Sequence, residues 1–328
     1  MTALRPLTGL RVGISIAESD DLAARGFSEA GMNRLTVHFT RVLLDQGATL
    51  AFGHDWRQMG IMDAVCRAAL ASFNFPGEKD PSPSILNLVP WPDETAVGSD
   101  VLDRLNGILK VRGAGLPVDP EEVRRRMPAP PVADKVAAEK VAKDNLQRYL
   151  RSRGLTHLRR QLTDVSQARI CLGGKESKFS GRYPGILEEA LFALEDEQPL
   201  YLAGFLGGAA ASVGRAVLYG EPMPRDFGQG VLRKPESGGF SLDQLYEQLV
   251  PDDSTAASTV YGTVPAPLRD EVLDLERAWN LASELGAERL ASGNGLSKED
   301  NRRLLETKLE DEALHLVLTG LRAVRERS

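Results

Sequence analysis

The chain has 328 residues, with 46 acidic and 40 basic side chains, enough for one large α/β domain or two smaller ones. The slight acidic excess argues against a broad nucleic-acid surface. No apolar run approaches the roughly 20 residues of a membrane span, and the N-terminus lacks a signal-peptide pattern, so a cytosolic protein is expected. The two cysteines lie in apolar patterns and the four histidines are scattered, which argues against a redox pair or a zinc centre.

The first part of the chain alternates strand and helix patterns. Apolar and β-branched residues predict strands at 10–17, 48–52 and 84–90. The spacing of apolar residues predicts helices at 33–46 and 60–73. This alternation is typical of a parallel sheet with right-handed crossovers. The expected fold class is therefore α/β, a Rossmann-like open parallel sheet with helices on both faces, plus C-terminal helices.

A charged, proline-rich excursion is expected at about 112–153, and we interpret it as a lid or an oligomer contact. The run Arg124–Arg126 inside it is better read as a solvated helix end than as an anion site. A helix at 155–162 and a strand at 168–172 follow the excursion. The sequence thus returns to the α/β pattern before the chain becomes mostly helical.

Two parts of the chain are expected from this pattern. Residues 1–220 are expected to form a Rossmann-like domain that includes the excursion. Residues 221–328 form a mostly helical extension, with helical patterns at 267–286 and 297–325, that packs on the same domain.

Four loops, at 19–21, 53–60, 173–185 and 204–208, follow the strands predicted at 10–17, at 48–52, at 168–172 and just before Gly204. Their residues favour a phosphate or carboxylate ligand. In an open parallel sheet such loops converge on one edge, where ligands bind. Glycine lets backbone N–H groups approach a phosphate closely, although any one glycine also serves a tight turn. The four loops together favour a nucleotide site. Its candidate ligand-binding residues are Ser19, Gly53, His54, Asp55, Arg57, Gly173, Gly174, Lys175, Arg182, Gly185, Glu188, Gly204, Gly207 and Gly208.

Two acidic residues open the helix that is expected after Pro184. Because Glu188 and Glu189 are adjacent, one is expected to face the loop and the other solvent. A carboxylate here suits ribose hydroxyls or an oxocarbenium-like sugar; the alternative is a favourable interaction with the helix N-terminus. Arg159 or Arg160, just before the strand at 168–172, can reach back to a phosphate through a planar guanidinium.

These motifs resemble the SLOG superfamily, Rossmann-like proteins that include DprA and the Lonely Guy phosphoribohydrolases. Residues 53–60, Gly-His-Asp-Trp-Arg-Gln-Met-Gly, are similar to a family loop of the form Gly-Gly-Asp-x-Arg-x-x-Gly. Residues 185–189, Gly-Ile-Leu-Glu-Glu, are similar to the end of the Lonely Guy motif. By this resemblance the family's catalytic arginine and glutamate correspond to Arg159 and Glu189. The chain departs from the motif at His54, at Gly181-Arg-Tyr183 and at Ile186, which removes part of the phosphate cradle.

A closer resemblance is to the LSDAT-type nucleotide-sensor branch of SLOG domains, which serves bacterial immunity and binds ligands related to ADP-ribose. It implies a cytosolic module that binds a nucleotide or nucleotide sugar, uses no cofactor, contacts neither nucleic acid nor membrane, and forms a homo-oligomer. A separately encoded effector protein would then be its partner.

Two other functions stay open at this point. In the first, the protein is a phosphoribohydrolase or N-glycosidase, in which Glu189 stabilises positive charge on the sugar and Arg159 holds the phosphate. In the second, it is a structural or oligomerising partner whose site has decayed, as the departures from the family motif suggest.

Overall fold

The structure is a computed structural model that describes residues 5–53, 56, 60–73, 84–93, 97–229, 235–249 and 275–327. Six parallel strands form one sheet in the order β4-β3-β2-β1-β5-β6. The helices pack around this sheet, so the expected α/β Rossmann-like class with C-terminal helices is confirmed. The strands are β1 (Arg11–Ala17), β2 (Thr49–Gly53), β3 (Ile85–Val89), β4 (Leu109–Gly113), β5 (Ala168–Gly173) and β6 (Leu200–Ala203).

The helices in the described part of the chain connect these strands or follow the last of them. None is both long and apolar enough, within the described residues, to cross a membrane. Their bounds are α1 (Glu29–Asp45), α2 (Ile61–Phe73), α3 (Ser99–Arg104), α4 (Pro120–Arg126), α5 (Lys135–Asp164), α6 (Gly185–Glu195), α7 (Gly208–Tyr219), α8 (Leu242–Leu249), α9 (Leu275–Gly293), α10 (Lys298–Glu306) and α11 (Glu310–Arg327).

The strand order reverses between β1 and β5, which are neighbours in the sheet. They run parallel in a register that places Val12 beside Ala168 and Ala17 beside Gly173. All of β5 is buried, as expected for a parallel strand that is covered on both faces. In open α/β sheets, ligands bind beyond the carboxyl ends of the strands at such a reversal. A ligand-binding site is therefore expected beyond the carboxyl ends of β1 and β5.

The stretch that the sequence indicated as an excursion contains regular structure. Strand β4, absent from the predicted elements, extends the edge of the sheet up to residue 113, and α4 follows it. Helix α5 is continuous over 30 residues, so the helix predicted at 155–162 is its last part, and residue 153 lies inside it. The side chain of Asp134 caps the start of α5 by accepting a hydrogen bond from the Ala137 N–H at 2.8 Å.

The C-terminal helices pack against the β6 side of the sheet. The Tyr201 hydroxyl donates to the Asn294 carbonyl oxygen at 2.7 Å, and the Asn294 side chain donates to the Leu200 carbonyl oxygen at 2.9 Å. Leu304 of α10 and Leu314 of α11 are buried in the same apolar cluster as the strands. The pattern predicted at 297–325 is thus two helices. Of the pattern predicted at 267–286, residues 267–274 lie outside the described residues and the rest belongs to α9.

Candidate ligand-binding crevice

A crevice of about 360 Å³ lies at the carboxyl ends of β1, β2 and β5, between α5 and α6. This volume falls within the range of small-molecule sites in proteins. Its apolar walls include Ile14, Ile16, Phe52, Ile61, Leu155 and Leu158. Its charged lining residues are Glu18, Arg151, Arg159, Lys175, Lys178 and Glu189. The crevice therefore combines an apolar surface for a flat ring with groups for an anion and for hydroxyls.

The structure brings some of the predicted site residues to this crevice and places others elsewhere. Those that line it are Gly53, Arg159, Gly174, Lys175, Gly185 and Glu189. Outside its lining lie Ser19, Gly173, Arg182, Glu188, Gly204, Gly207 and Gly208. Outside the described residues lie His54, Asp55 and Arg57. The lining residues that sequence reasoning missed include Ser15, Glu18, Arg151, Lys178, Phe179 and Ser180.

The loop that leaves β5 brings the N-terminus of α6 to the crevice. Gly174 donates its N–H to the Ala17 carbonyl oxygen at 2.8 Å, and its own carbonyl oxygen accepts from the Ala209 N–H at 2.9 Å. Its φ is +92°, and a Cβ there would come within 3.0 Å of Ile186. Helix α6 then begins at Gly185, which also lines the crevice. Because unpaired N–H groups and the dipole at a helix N-terminus attract anions, this is the phosphate-compatible side of the crevice.

Glu189 lines the crevice and is held by two polar side chains, one from β1 and one from β5. Arg169, which is fully buried on β5, donates to Glu189 Oε2 at 3.1 Å and to the Ser15 hydroxyl at 2.9 Å. The Ser15 hydroxyl in turn donates to Glu189 Oε2. A second nitrogen of Arg169 donates to the Thr163 hydroxyl at 3.1 Å. Glu189 is thereby fixed in orientation while its side chain keeps 13% exposure toward the crevice.

Glu188 is buried rather than exposed, so the expectation that one of the two glutamates faces solvent is wrong. It is 2% exposed, and it accepts from Arg159 at 2.5 Å and from the Thr156 hydroxyl at 2.7 Å. The reason is that α5 crosses beside the first turn of α6 and supplies partners for a buried carboxylate, which needs them. Arg159 also lies 3.7 Å from Glu189 Oε1 through its Nε atom. Its guanidinium is therefore engaged by both glutamates.

Arg160, the other arginine considered as a phosphate partner, faces away from the crevice. It pairs with Asp196 at 2.5 Å and with Asp164 at 3.1 Å. Its guanidinium also lies over the ring of Phe192 at 5.7 Å. Arg160 therefore ties α5 to the far end of α6 and does not line the crevice.

Two lysines on the loop after β5 supply positive charge on the crevice lining. Lys175 and Lys178 are both exposed, and neither makes an ion pair with any residue that the structure describes. Lys178 has a φ of +51°, a left-handed conformation that costs a non-glycine residue about 1 kcal/mol. Beside them, Asp20 accepts from the Ser177 N–H at 3.2 Å and from its hydroxyl at 3.1 Å. That contact joins the β5–α6 loop to the loop after β1.

The glycine-rich turn between β6 and α7 places the N-terminus of α7 against a carboxylate of the chain itself. Asp21 accepts from the Gly208 N–H at 3.0 Å and pairs with Arg25 at 2.5 Å. A Cβ at Gly207 would come within 3.0 Å of both Asp21 oxygens. Burial acts to raise the pKa of Asp21, but hydrogen bonds from Arg25 and Ser19 and the Arg25 charge bring it below its ordinary value. The anion position at α7 is thus filled internally.

Three further predicted residues have structural partners away from the crevice. The Ser19 hydroxyl is buried and donates to a backbone carbonyl oxygen at 2.6 Å. Gly204 lies against α10, where a Cβ would come within 3.0 Å of the Leu305 carbonyl oxygen. Arg182 stacks over the ring of Tyr246 at 4.5 Å. These contacts explain why glycine or a polar residue stands at each position without a ligand.

Arg169 and Ser15 are the partners of Glu189 that sequence reasoning missed. The signal was present, since each is a polar residue inside an otherwise apolar strand pattern, Ile-Ser-Ile in β1 and Ala-Arg-Ile in β5. A buried arginine requires a carboxylate or several acceptors nearby, so its presence predicts a partner. Among the residues that the structure describes, no group of His, Cys, Asp or Glu side chains is placed to hold a metal ion.

Comparison with known proteins gives one match. The family model described as SLOG cluster2 matches residues 6–304, which is well over half of the chain. No curated protein and no solved structure matches. The matched range includes every strand of the sheet and all the residues that line the crevice. The chain therefore belongs to the SLOG cluster2 family, a branch of the SLOG superfamily.

Proposed function

We propose that the crevice binds a nucleotide or nucleotide sugar of the ADP-ribose type and that the protein acts as a binding module. The observation that carries this proposal is the placement of a held carboxylate, a helix N-terminus and two exposed lysines around one crevice of about 360 Å³ at the strand-order reversal. Glu189 supplies a fixed acceptor, the N–H groups of α6 face an anion, and apolar walls suit a base.

The charges indicate how the ligand would be oriented. Lys175 and Lys178 are exposed on the β5–α6 loop, whereas Glu189 is largely buried. Phosphates would therefore lie against the loop and the N-terminus of α6, and a ribose would direct its hydroxyls toward Glu189. Arg159 is already paired with Glu188, so its part is to hold the base of the crevice while the lysines meet the phosphates.

The arrangement of Glu189 supports binding over cleavage of the glycosidic bond. A carboxylate stabilises an oxocarbenium-like sugar best when its negative charge is uncompensated. Here Arg169 lies 3.1 Å from one carboxylate oxygen and Arg159 lies 3.7 Å from the other. Two guanidinium groups thus offset the charge that a glycosidase would use. We keep N-glycosidase activity as the second candidate because the glutamate still faces the crevice.

A sensor role in bacterial defence follows from the resemblance to the LSDAT-type branch and is part of the proposal. In that role, ligand binding in the crevice changes self-association or recruits a separately encoded effector protein. Light scattering with and without ADP-ribose tests the first of these. A ligand-dependent change in molar mass would support signalling through self-association. A constant molar mass would instead favour the recruitment of a separate effector protein.

Native mass spectrometry with a panel of AMP, ADP, ADP-ribose and NAD tests the proposed function. We expect one intact ligand per chain, with ADP-ribose retained best. Chromatography of the same mixtures then measures any free base. Release of adenine or nicotinamide at enzymatic rates would establish the glycosidase instead, and no retention of any of the four would favour a site that no longer binds nucleotides.

A further inference from the structure

Arg182 links the loop of the crevice to helix α8. Its guanidinium lies 4.5 Å from the ring centroid of Tyr246 on α8 and 5.2 Å from that of its neighbour Tyr183. The side chain is 7% exposed, and Asp243 on α8 is 3.9 Å from its Nε atom. That nitrogen is buried and makes no hydrogen bond to any described residue. Aromatic rings, aided by one long ion pair, therefore hold this arginine.

The residues on either side of Arg182 are packed against the base of the crevice. A Cβ at Gly181 would lie 2.9 Å from one guanidinium nitrogen of Arg159, and a Cβ at Gly185 would lie 2.9 Å from another. The loop therefore runs along Arg159, with little space for a side chain at Gly181 or Gly185. Since Arg159 pairs with Glu188 and lies 3.7 Å from Glu189, a shift of this loop would disturb the crevice directly.

Tyr246 is itself fixed by α5 and belongs to a different apolar cluster from the central sheet. Its hydroxyl lies 3.0 Å from the Ser152 hydroxyl, and its ring centroid lies 5.0 Å from that of Tyr149. The guanidinium of Arg153 is 5.9 Å from both rings. This cluster unites α4, α8 and the first half of α5. Tyr246 thus connects this group of helices to the loop through its contact with Arg182.

We propose that Tyr246 is a positioning residue of the crevice. By stacking on Arg182 it holds residues 181–185 against Arg159, and so it keeps Glu189 and the N-terminus of α6 in their binding arrangement. Helix α8 would then influence the affinity for the ligand although it does not line the crevice. A displacement of α8 from α5 would loosen the loop and lower that affinity. The affinity part of this inference rests on the proposed function, whereas the effect on the loop does not.

Tyr246→Leu and Tyr246→Phe form the matched pair that tests this inference. Phenylalanine keeps the ring and loses only the hydroxyl, whereas leucine removes the ring from Arg182. Amide hydrogen exchange of the ligand-free protein is expected to accelerate at residues 181–186 in the leucine variant and to stay near the parent rate in the phenylalanine variant. Calorimetry with ADP-ribose is expected to show about fivefold weaker binding for leucine alone, the size of a partly desolvated cation–π contact.

A second substitution distinguishes the loss of this contact from a general loss of stability. Arg182→Met should reproduce the effects of Tyr246→Leu. The double variant should be no weaker than Arg182→Met alone, because both substitutions remove the contact between these two side chains. Additive losses, or faster exchange in the loop with an unchanged affinity for ADP-ribose, would overturn the inference. If the parent protein bound none of the panel, the proposed function would fail, while unchanged exchange in the leucine variant would separately refute the positioning of the loop.

Discussion

Gly174 has a backbone conformation and surroundings that both exclude a side chain. Its φ of +92° is unfavourable for other residues, and a Cβ would collide with Ile186 at the start of α6. We expect Gly174→Ala to lower the free energy of unfolding by about 2 to 4 kcal/mol, because strain and overpacking add. Urea denaturation measures this loss. Gly293→Ala is the control, since its Cβ would meet nothing within 4 Å; equal stability of the two variants would contradict the packing described at Gly174.

A substitution at Lys178 is expected to have different effects on the stability of the fold and on the affinity for the ligand. Its left-handed backbone disfavours a lysine, while its charge lines the crevice. Lys178→Gly should leave the free energy of unfolding equal or higher and weaken ADP-ribose binding about tenfold, because an interaction with phosphate is lost. Thermal denaturation and calorimetry measure the two effects.

Glu197→Gly provides the matched control for Lys178→Gly. Glu197 has a φ of +54° but does not line the crevice. It should tolerate glycine with unchanged affinity for ADP-ribose. Unchanged affinity in Lys178→Gly as well would remove this lysine from the site.

The sequence indicated those parts of the candidate site whose residues lie close together in the chain. It missed the contacts that depend on residues far away in the chain. Gly174, Gly185 and Glu189 all line the crevice because a strand, a glycine loop and a helix follow one another within 22 residues. The burial of Glu188 could not be predicted from neighbouring residues in the sequence. Its environment depends on Arg159, 29 positions earlier in the chain.

Helix α5 shows why an element's role can be hidden from its sequence. Its first half packs Leu146 and Leu150 against α4 and α8, whereas its second half packs Leu158 and Leu162 against β2 and β3. Two partners on different sides leave no continuous apolar stripe, so the first half resembled a charged excursion. The edge strand β4 was missed because it is short and most of its residues are exposed, which weakens any strand pattern.

Helix α6 carries a titratable group at the end opposite to the crevice. Burial raises the pKa of Glu195 to about 7, and Asp196 adds to this effect while Arg160 and Arg289 oppose it. Neither carboxylate oxygen has a hydrogen-bond partner among the described residues. Between about pH 4.5 and 7 the folded state therefore binds more protons than the unfolded state, so the free energy of unfolding should fall as the pH rises through this window.

Glu195→Gln tests this pH dependence. The substitution should flatten the dependence and stabilise the protein at pH 8 by about 2 kcal/mol, since glutamine carries no charge to desolvate. Urea denaturation across the pH range measures it. A variant that keeps the slope of the parent protein would assign the dependence to another group.

At the scale of the whole molecule, the C-terminal helices complete the core of the sheet. Leu304, Leu314, Val317 and Leu321 are buried in the apolar cluster that contains β1, and Gly320 lies close enough to Tyr201 that a Cβ there would collide with its ring. A chain that ends at Gly293 should therefore lose cooperative unfolding, because it exposes one side of this cluster. Circular dichroism during heating measures cooperativity. Adding residues 294–328 as a separate chain should restore it, whereas a sharp transition in the shortened chain alone would define a smaller independent domain.

Glu189 is proposed as a fixed acceptor for a ribose, in a crevice that binds its ligand intact. Titration calorimetry of ADP-ribose with the parent protein, Glu189→Gln and Glu195→Gln tests it most directly, since both glutamates lie on α6 and only Glu189 lines the crevice. We predict one site per chain, a loss of at least tenfold in affinity for Glu189→Gln from the weakened charge-assisted hydrogen bond, and no loss for Glu195→Gln. Equal affinities in all three proteins would contradict the role of Glu189 as the acceptor for the ribose. Recovery of hydrolysed ligand from the calorimeter cell would contradict the binding of an intact ligand.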